Sequence, residues 1–167
     1  NGSFQAHVSA LRHIWGEDET RDWLKGVTQN TPKAYPKNSP QVKDANDGKL
    51  VIGWVNHYYL HRLDAEVRHA KNYSFPSKDA GNIMMLAGVG IRKNTPNQEN
   101  AEKIVSYLVS TESQSYFSMN NYEYPTRPNV KTHPDVPDLN LEHLMDAPQS
   151  NLADLGPTRT MLQELSL

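Results

Sequence analysis

Residues 56–63 read NHYYLHRL, and this short run holds several side chains whose spacing could do chemistry. His57 and His61 stand four apart, so on a helix they would share one face. Such a pair is half of a zinc-hydrolase motif, but that chemistry needs a glutamate directly after the first histidine as general base, and Tyr58 stands there. The adjacent tyrosines offer something else. In a strand neighbouring side chains point to opposite faces, and in a helix they diverge by about 100°, so neither regular geometry aims Tyr58 and Tyr59 at one point. A junction between strand and helix can, and the C-terminal edge of a parallel strand is where α/β sheets place ligands. A free phenol has a pKa of about 10 and is protonated at neutral pH. A small, highly charged cation displaces that proton, and hard oxygen ligands select hard cations, of which Fe(III) is the natural partner. The residue types alone favour a plainer arrangement, in which the two tyrosines beside Trp54 form an aromatic cluster of the core.

Two further stretches carry weaker signals. NGSF at residues 1–4 opens a helical pattern, and free backbone N–H groups with a hydroxyl there could receive a small oxyanion or simply cap the helix. YPKNSP at residues 35–40 sets Lys37 and Asn38 directly before another helix start.

The elements that must position these residues follow from periodicity and punctuation. Phe4, Val8, Leu11 and Ile14 or Trp15 recur at helical spacing over residues 1–15, and EDETRDWLKGV repeats the pattern with acids in its first turn and Trp23, Leu24 and Val27 inward. TQNTPKAYPKN is a loop. SPQVKDANDG predicts a short helix with Ser39 as N-cap, Pro40 at the first helical position and Gly48 just past the end. KLVIGWV predicts a strand covered on both faces, and YYLHRLDAEVRHA a helix with Leu60, Leu63 and Val67 on one side. AGNIMMLAGVGIRKN predicts a second strand, and TPNQENAEKIVSYLVST a helix with Ala101, Ile104, Val105 and Leu108 inward. ESQSYFSMN predicts a further short helix, the proline-rich stretch from 122 to about 150 a wrapping connection, and PTRTMLQEL a helix begun by Pro157. Helix, strand and helix in that order mark an α/β fold.

Composition excludes several classes. The 167 residues contain no cysteine, which removes disulfides, thiolate metal sites and cysteine nucleophiles together. A net charge of −2 without a basic stripe argues against nucleic acid, and no stretch approaches the roughly 18 apolar residues of a membrane span. The 37% hydrophobic content and mean hydropathy of −0.74 lie on the polar side of globular. The opening NGSFQAHV has no initiating Met and no apolar leader, so it reads as a mature or truncated chain.

The stretch KNSPQVKDANDGKLVIGWVNHYYLHRL resembles the bacterial ferric-ion-binding proteins, the extracytoplasmic solute-binding components of iron ABC transporters. The resemblance continues through AGNIMMLAGVGIRKNTPNQENAEKIVSYLVSTESQSYF, YEYPTRPNV and LMDAPQSNLADLGPTRTMLQEL, and so runs the length of the chain. It implies an α/β fold of the type II periplasmic-binding-protein kind, two lobes joined by hinge strands, here without the N-terminal half. Residues 1–82 would form most of the C-terminal lobe. Residues 83–137 would cross the hinge, through a strand at 83–86, into part of the N-terminal lobe, and 138–167 would return.

The resemblance also implies roles. Tyr58 and Tyr59 match the two phenolate ligands of Fe(III). Asn56 matches a position that supports the site and its anion, Asn1, Gly2 and Ser3 resemble the helix start that holds a synergistic carbonate or phosphate, Asn38 is a further contact, and His57 lies just outside the ligands. NGSFQAH lacks the extra tyrosine of some members, so the chain resembles the subgroup that uses two tyrosines and an anion. That subgroup draws a His and often a Glu from the N-terminal half. The implied protein is not an enzyme. It is a periplasmic or lipid-anchored monomer that captures Fe(III) and hands it to an ABC permease. The same fold with an organic cation or phosphorylated compound as cargo, and a His57/His61 metal-dependent hydrolase, are the alternatives.

Overall fold

A computed structural model describes residues 2–167, apart from the side chains of Gln149 and Asn151. The chain divides into two compact units, one running up to Leu86 and resuming over Asn140–Leu167, the other Ala87–Leu139.

The first unit is built on α1 (Gly2–Trp15) and α2 (Glu17–Gln29). Arg12 and His13 close α1, and Glu17, Asp18 and Glu19 open α2, each favourable to the helix dipole it meets. Gly16 makes the corner between them at φ 90°, a left-handed conformation that a Cβ would strain. Arg12 spans the corner, its Nε donating to Glu17 at 3.0 Å while Nη1 reaches Thr158 at 2.9 Å. Thr158 lies in α8 (Gly156–Glu164), which has Pro157 in its first turn as the sequence predicts and which, with α7 (Gln149–Ala153), returns to pack on α1. The core is Val8, Leu24, Met161 and Leu162, with Phe4, Trp23 and Leu165 packed against it. Residues some 150 positions apart therefore close one apolar interior.

The third helix, α3 (Asn38–Asn46), begins one residue before the Ser39 cap expected from sequence; Lys37 occupies the cap position in extended conformation, with no side-chain bond to the free amides. Gly48 does follow its end, at φ 72°. Asp44 on this helix holds the preceding loop, accepting from Tyr35 Oη at 2.6 Å, Lys33 Nζ at 2.9 Å and Lys49 Nζ at 3.4 Å. The Tyr35 hydrogen bond first, and then the Lys33 ammonium, hold the Asp44 carboxyl well below the usual carboxylate range.

Three expectations fail here. The run 49–55 is extended but is not a strand: no strand is present among the described residues, and Val51 is 100% and Ile52 70% exposed. Strand character depends on a neighbouring ladder, and no described segment supplies one to this run or to 80–94, where Leu86 and Val89 are also exposed. The helix expected over 58–70 is the single turn α4 (Tyr58–His61), followed by a 3₁₀ turn at Ala65–Val67. Asp64 accepts from the Glu66 amide at 3.3 Å, a local bond that competes with helix continuation, and it leaves Val67 exposed.

In the second unit, α5 (Gln98–Leu108) and α6 (Thr111–Asn121) pack on each other. Ser110 caps α6 by accepting from the Ser113 amide at 3.2 Å. The interior is largely polar. Buried Gln114 donates to Leu108 O at 3.0 Å and accepts from the Thr126 amide at 2.9 Å, and buried Ser118 donates to Lys131 O at 2.8 Å. Of the residues expected inward on α5, Ala101, Val105 and Leu108 are half-buried, but Ile104 is 59% exposed because α6 covers only one side. No helix among the described residues is long and apolar enough to cross a membrane.

Three predictions follow from these contacts. Leu24→Ala, which empties a fully buried site, should cost about 2–5 kcal/mol in urea unfolding. Thr20→Val should instead be neutral or stabilising by about 1 kcal/mol, because the buried Thr20 hydroxyl has no hydrogen-bond partner and valine keeps its shape. Because the folded Asp44 pKa lies below its unfolded value, its contribution is present above about pH 4 and is lost as pH falls through the depressed folded value. Carboxyl NMR titration should find Asp44 ionised well below pH 4, and Tyr35→Phe should move that titration upward.

Candidate metal and anion site

The extended segment 49–56 ends against the core of the first unit. Trp54 meets Phe4 edge-to-face at 6.0 Å between ring centroids and Trp23 at 5.9 Å, and Trp23 in turn meets Trp15 at 6.1 Å. Phe4 and Trp23 belong to the rim of the core, so this line of rings carries the rigidity of α1 and α2 out to the segment that precedes the tyrosines. It also draws the start of α1, with Gly2 and Ser3, toward that segment through the adjacent Phe4. Asn1 lies outside the described residues.

At Asn56 the chain turns. The Tyr59 amide donates to Asn56 O at 3.1 Å and the Leu60 amide to His57 O at 3.3 Å, which starts α4 with His57 already in helical conformation. Leu60 and His61 are buried and anchor the turn. The two tyrosines, the first residues of α4, lie half-buried, with ring centroids 4.7 Å apart and planes tilted by 33°. Asn56 Nδ2 donates to Tyr58 Oη at 2.7 Å, and the His57 ring meets Tyr58 edge-on at 5.5 Å. The tyrosine rings thus pack on each other, while Trp54 packs toward the core.

Arg62 was not singled out by its sequence context, yet its guanidinium lies 4.5 Å from the Tyr59 ring centroid and 5.1 Å from that of Tyr58. Its spacing was the available signal: three and four residues beyond the tyrosines, it sits where a helical turn stacks side chains one above another. Beyond it opens a cavity of about 370 Å³ lined by Pro36, Lys37, Asn38, Ser39, Tyr59 and Arg62. The structure therefore brings Asn38 to the same cavity as Tyr59, although 21 residues separate them.

His61 is buried rather than presented with His57. Asn72 Nδ2 lies 3.0 Å from His57 O, as a donor, and 3.5 Å from His61 Nε2. Among the described residues no group of three or more His, Asp or Glu side chains could hold a metal, so nothing completes the hydrolase motif.

Residues 1–146 match the family of bacterial extracellular solute-binding proteins. The chain is similar to Iron uptake protein A1 of Synechocystis, 32% identical over 141 residues that make up 79% of this chain and 39% of that protein. It is also similar to the Major ferric iron-binding protein of Neisseria meningitidis, 30% identical over 155 residues, 89% of this chain and 45% of that one. Iron-bound HitA from Pseudomonas aeruginosa superposes with a TM-score of 0.89 over 100% of this chain and 55% of HitA, at 21% identity. The chain spans about half the length of the proteins it matches, and over that span it has their type II periplasmic-binding-protein fold. Matched over most of its residues and carrying that fold, the chain belongs to the bacterial extracellular solute-binding proteins, a family that carries solutes and is not one of enzymes.

Proposed function

We propose that this protein is an extracytoplasmic carrier that captures Fe(III) through the phenolate oxygens of Tyr58 and Tyr59 together with a small synergistic anion, and delivers it to an ABC permease. The observation that carries this is the tyrosine pair itself, adjacent in sequence at a loop-to-helix junction, with an amide donor on one oxygen and an oxyanion-compatible cavity beside the other. Relatives described as iron uptake and ferric iron-binding proteins supply the cargo.

Each residue then has a task. Tyr58 and Tyr59 exchange their protons for the trivalent ion, which only a strongly charged cation can drive near neutral pH. Asn56 supports Tyr58, since its amide donates to the oxygen whether or not the proton is there. Gly2 and Ser3 at the start of α1, with Asn1 before them in sequence, and Asn38 and Asn56 would receive carbonate or phosphate, which would occupy coordination positions that the protein leaves open. His57 packs against Tyr58 and fixes its ring. The first unit would then be most of the C-terminal lobe and the second part of the N-terminal lobe, in a protein of the periplasm or one held outside the membrane by lipid. An organic cation stacked on the tyrosines fits less well, because Arg62 already puts a cation over both rings.

Titration with ferric nitrilotriacetate at pH 7 should produce a visible phenolate-to-iron charge-transfer band. Tyr58→Phe and Tyr59→Phe should each remove most of it, and acidification should bleach it because protons compete for the same oxygens. A colourless wild-type chain, or a band that survives both substitutions, would overturn the proposal.

A further inference from the structure

The turn that carries the tyrosines cannot hold its own shape. α4 has four residues, too few to repay the ordering of a first helical turn, and the last carbonyls of any helix find no partners within it. The residues that follow supply them. Arg68 Nη2 donates to Leu63 O at 3.1 Å and, more distantly, to His61 O at 3.5 Å, and Asn72 Nδ2 donates to His57 O at 3.0 Å. A guanidinium is also the charge that the carbonyl end of a helical turn favours. Arg68 has no carboxylate within ion-pair distance among the described residues, and its Nε is buried without a partner. With no acid to hold this cation, its position is set by the backbone on either side of it.

That backbone is gripped by Asn46, the last residue of α3. Asn46 Nδ2 donates to Val67 O at 2.9 Å, and its Oδ1 accepts from the His69 amide at 2.7 Å and the Ala70 amide at 3.2 Å, so one side chain fixes the chain on both sides of Arg68. α3 also packs on α4. We propose that Asn46, Arg68 and Asn72 are positioning residues for ferric capture: none would touch the ion, and together they clamp the carbonyls of α4 to the end of α3, so that Tyr58 and Tyr59 are in place before the ion arrives. Ligands fixed beforehand need not be ordered at the moment of binding, which raises affinity. The role rests on the ferric proposal above, whereas the clamp itself needs no metal.

Amide hydrogen exchange in the iron-free protein tests the clamp, and titration with ferric nitrilotriacetate tests what the clamp does for binding. Asn46→Leu, Asn72→Leu and Arg68→Met should each speed exchange at the Tyr59, Leu60 and Leu63 amides, whose bonds close the turn. Each should also weaken iron binding about tenfold, as loss of one hydrogen bond does, and shift the visible band. Arg68→Lys should recover most of the affinity, because a single Nη serves both carbonyls and an ammonium can do the same. Ser118→Ala, which removes a buried hydroxyl bonded to Lys131 O in the second unit, should lower the melting temperature and change neither readout. Wild-type exchange at those amides in the three clamp variants, iron affinity that merely follows melting temperature across the whole set, or Arg68→Lys as weak as Arg68→Met would overturn the assignment. A wild-type protein that stays colourless while the clamp variants exchange faster would reject the ferric proposal alone; a coloured wild type whose clamp variants bind iron as tightly would reject this inference alone.

Discussion

The geometry of the tyrosine pair depends on Trp54. The segment before it has no ladder to hold it, with Val51 and Ile52 in solvent, so the chain would approach Asn56 at no fixed angle if Trp54 did not seat between Phe4 and Trp23. Those two rings are immobilised in turn by Val8, Leu24, Met161 and Leu162. Order passes outward from a small apolar interior, through edge-to-face aromatic contacts, to a turn where hydrogen bonds from the Tyr59 and Leu60 amides take over.

The same interior depends on residues that arrive late in the chain. Met161 and Leu162 come from the closing helix, and Arg12 ties that helix and the α1–α2 corner together through Thr158 and Glu17. Arg12 is largely shielded, so its bonds to a buried hydroxyl and a carboxylate count for more than those of the exposed Lys25–Asp22 pair on α2. The second unit is organised differently, by side-chain amides and hydroxyls that satisfy the loop after α6, and it has little apolar interior of its own.

The local helical elements were legible in the sequence because their signals are local: the acids that open α2, Gly48 after α3 and Pro157 in α8 all act within a few residues of themselves. The strands were not, because an apolar run records a preference that becomes a strand only when a neighbour supplies its hydrogen bonds. The early end of α4 was missed for a related reason: Leu60, Leu63 and Val67 have helical spacing, but Asp64 offers the backbone a nearer partner. Within the candidate site the tyrosine pair, Asn56 and Asn38 were visible as residue types. The position of Arg62 over both rings is encoded only in its spacing, three and four residues beyond the tyrosines, and the shared cavity of Tyr59 and Asn38 is a tertiary fact that no short window contains.

All three tryptophans of the chain stand in one line, Trp15 to Trp23 to Trp54. Indole emission from these 167 residues therefore comes from one coupled row, along which excitation can migrate before it is emitted. Its last member sits two residues before Asn56, at the threshold of the phenol pair, and the phenols can feed it energy at short range. The row is an optical gauge whose colour and brightness report how the segment bearing Trp54 seats on α1 and α2.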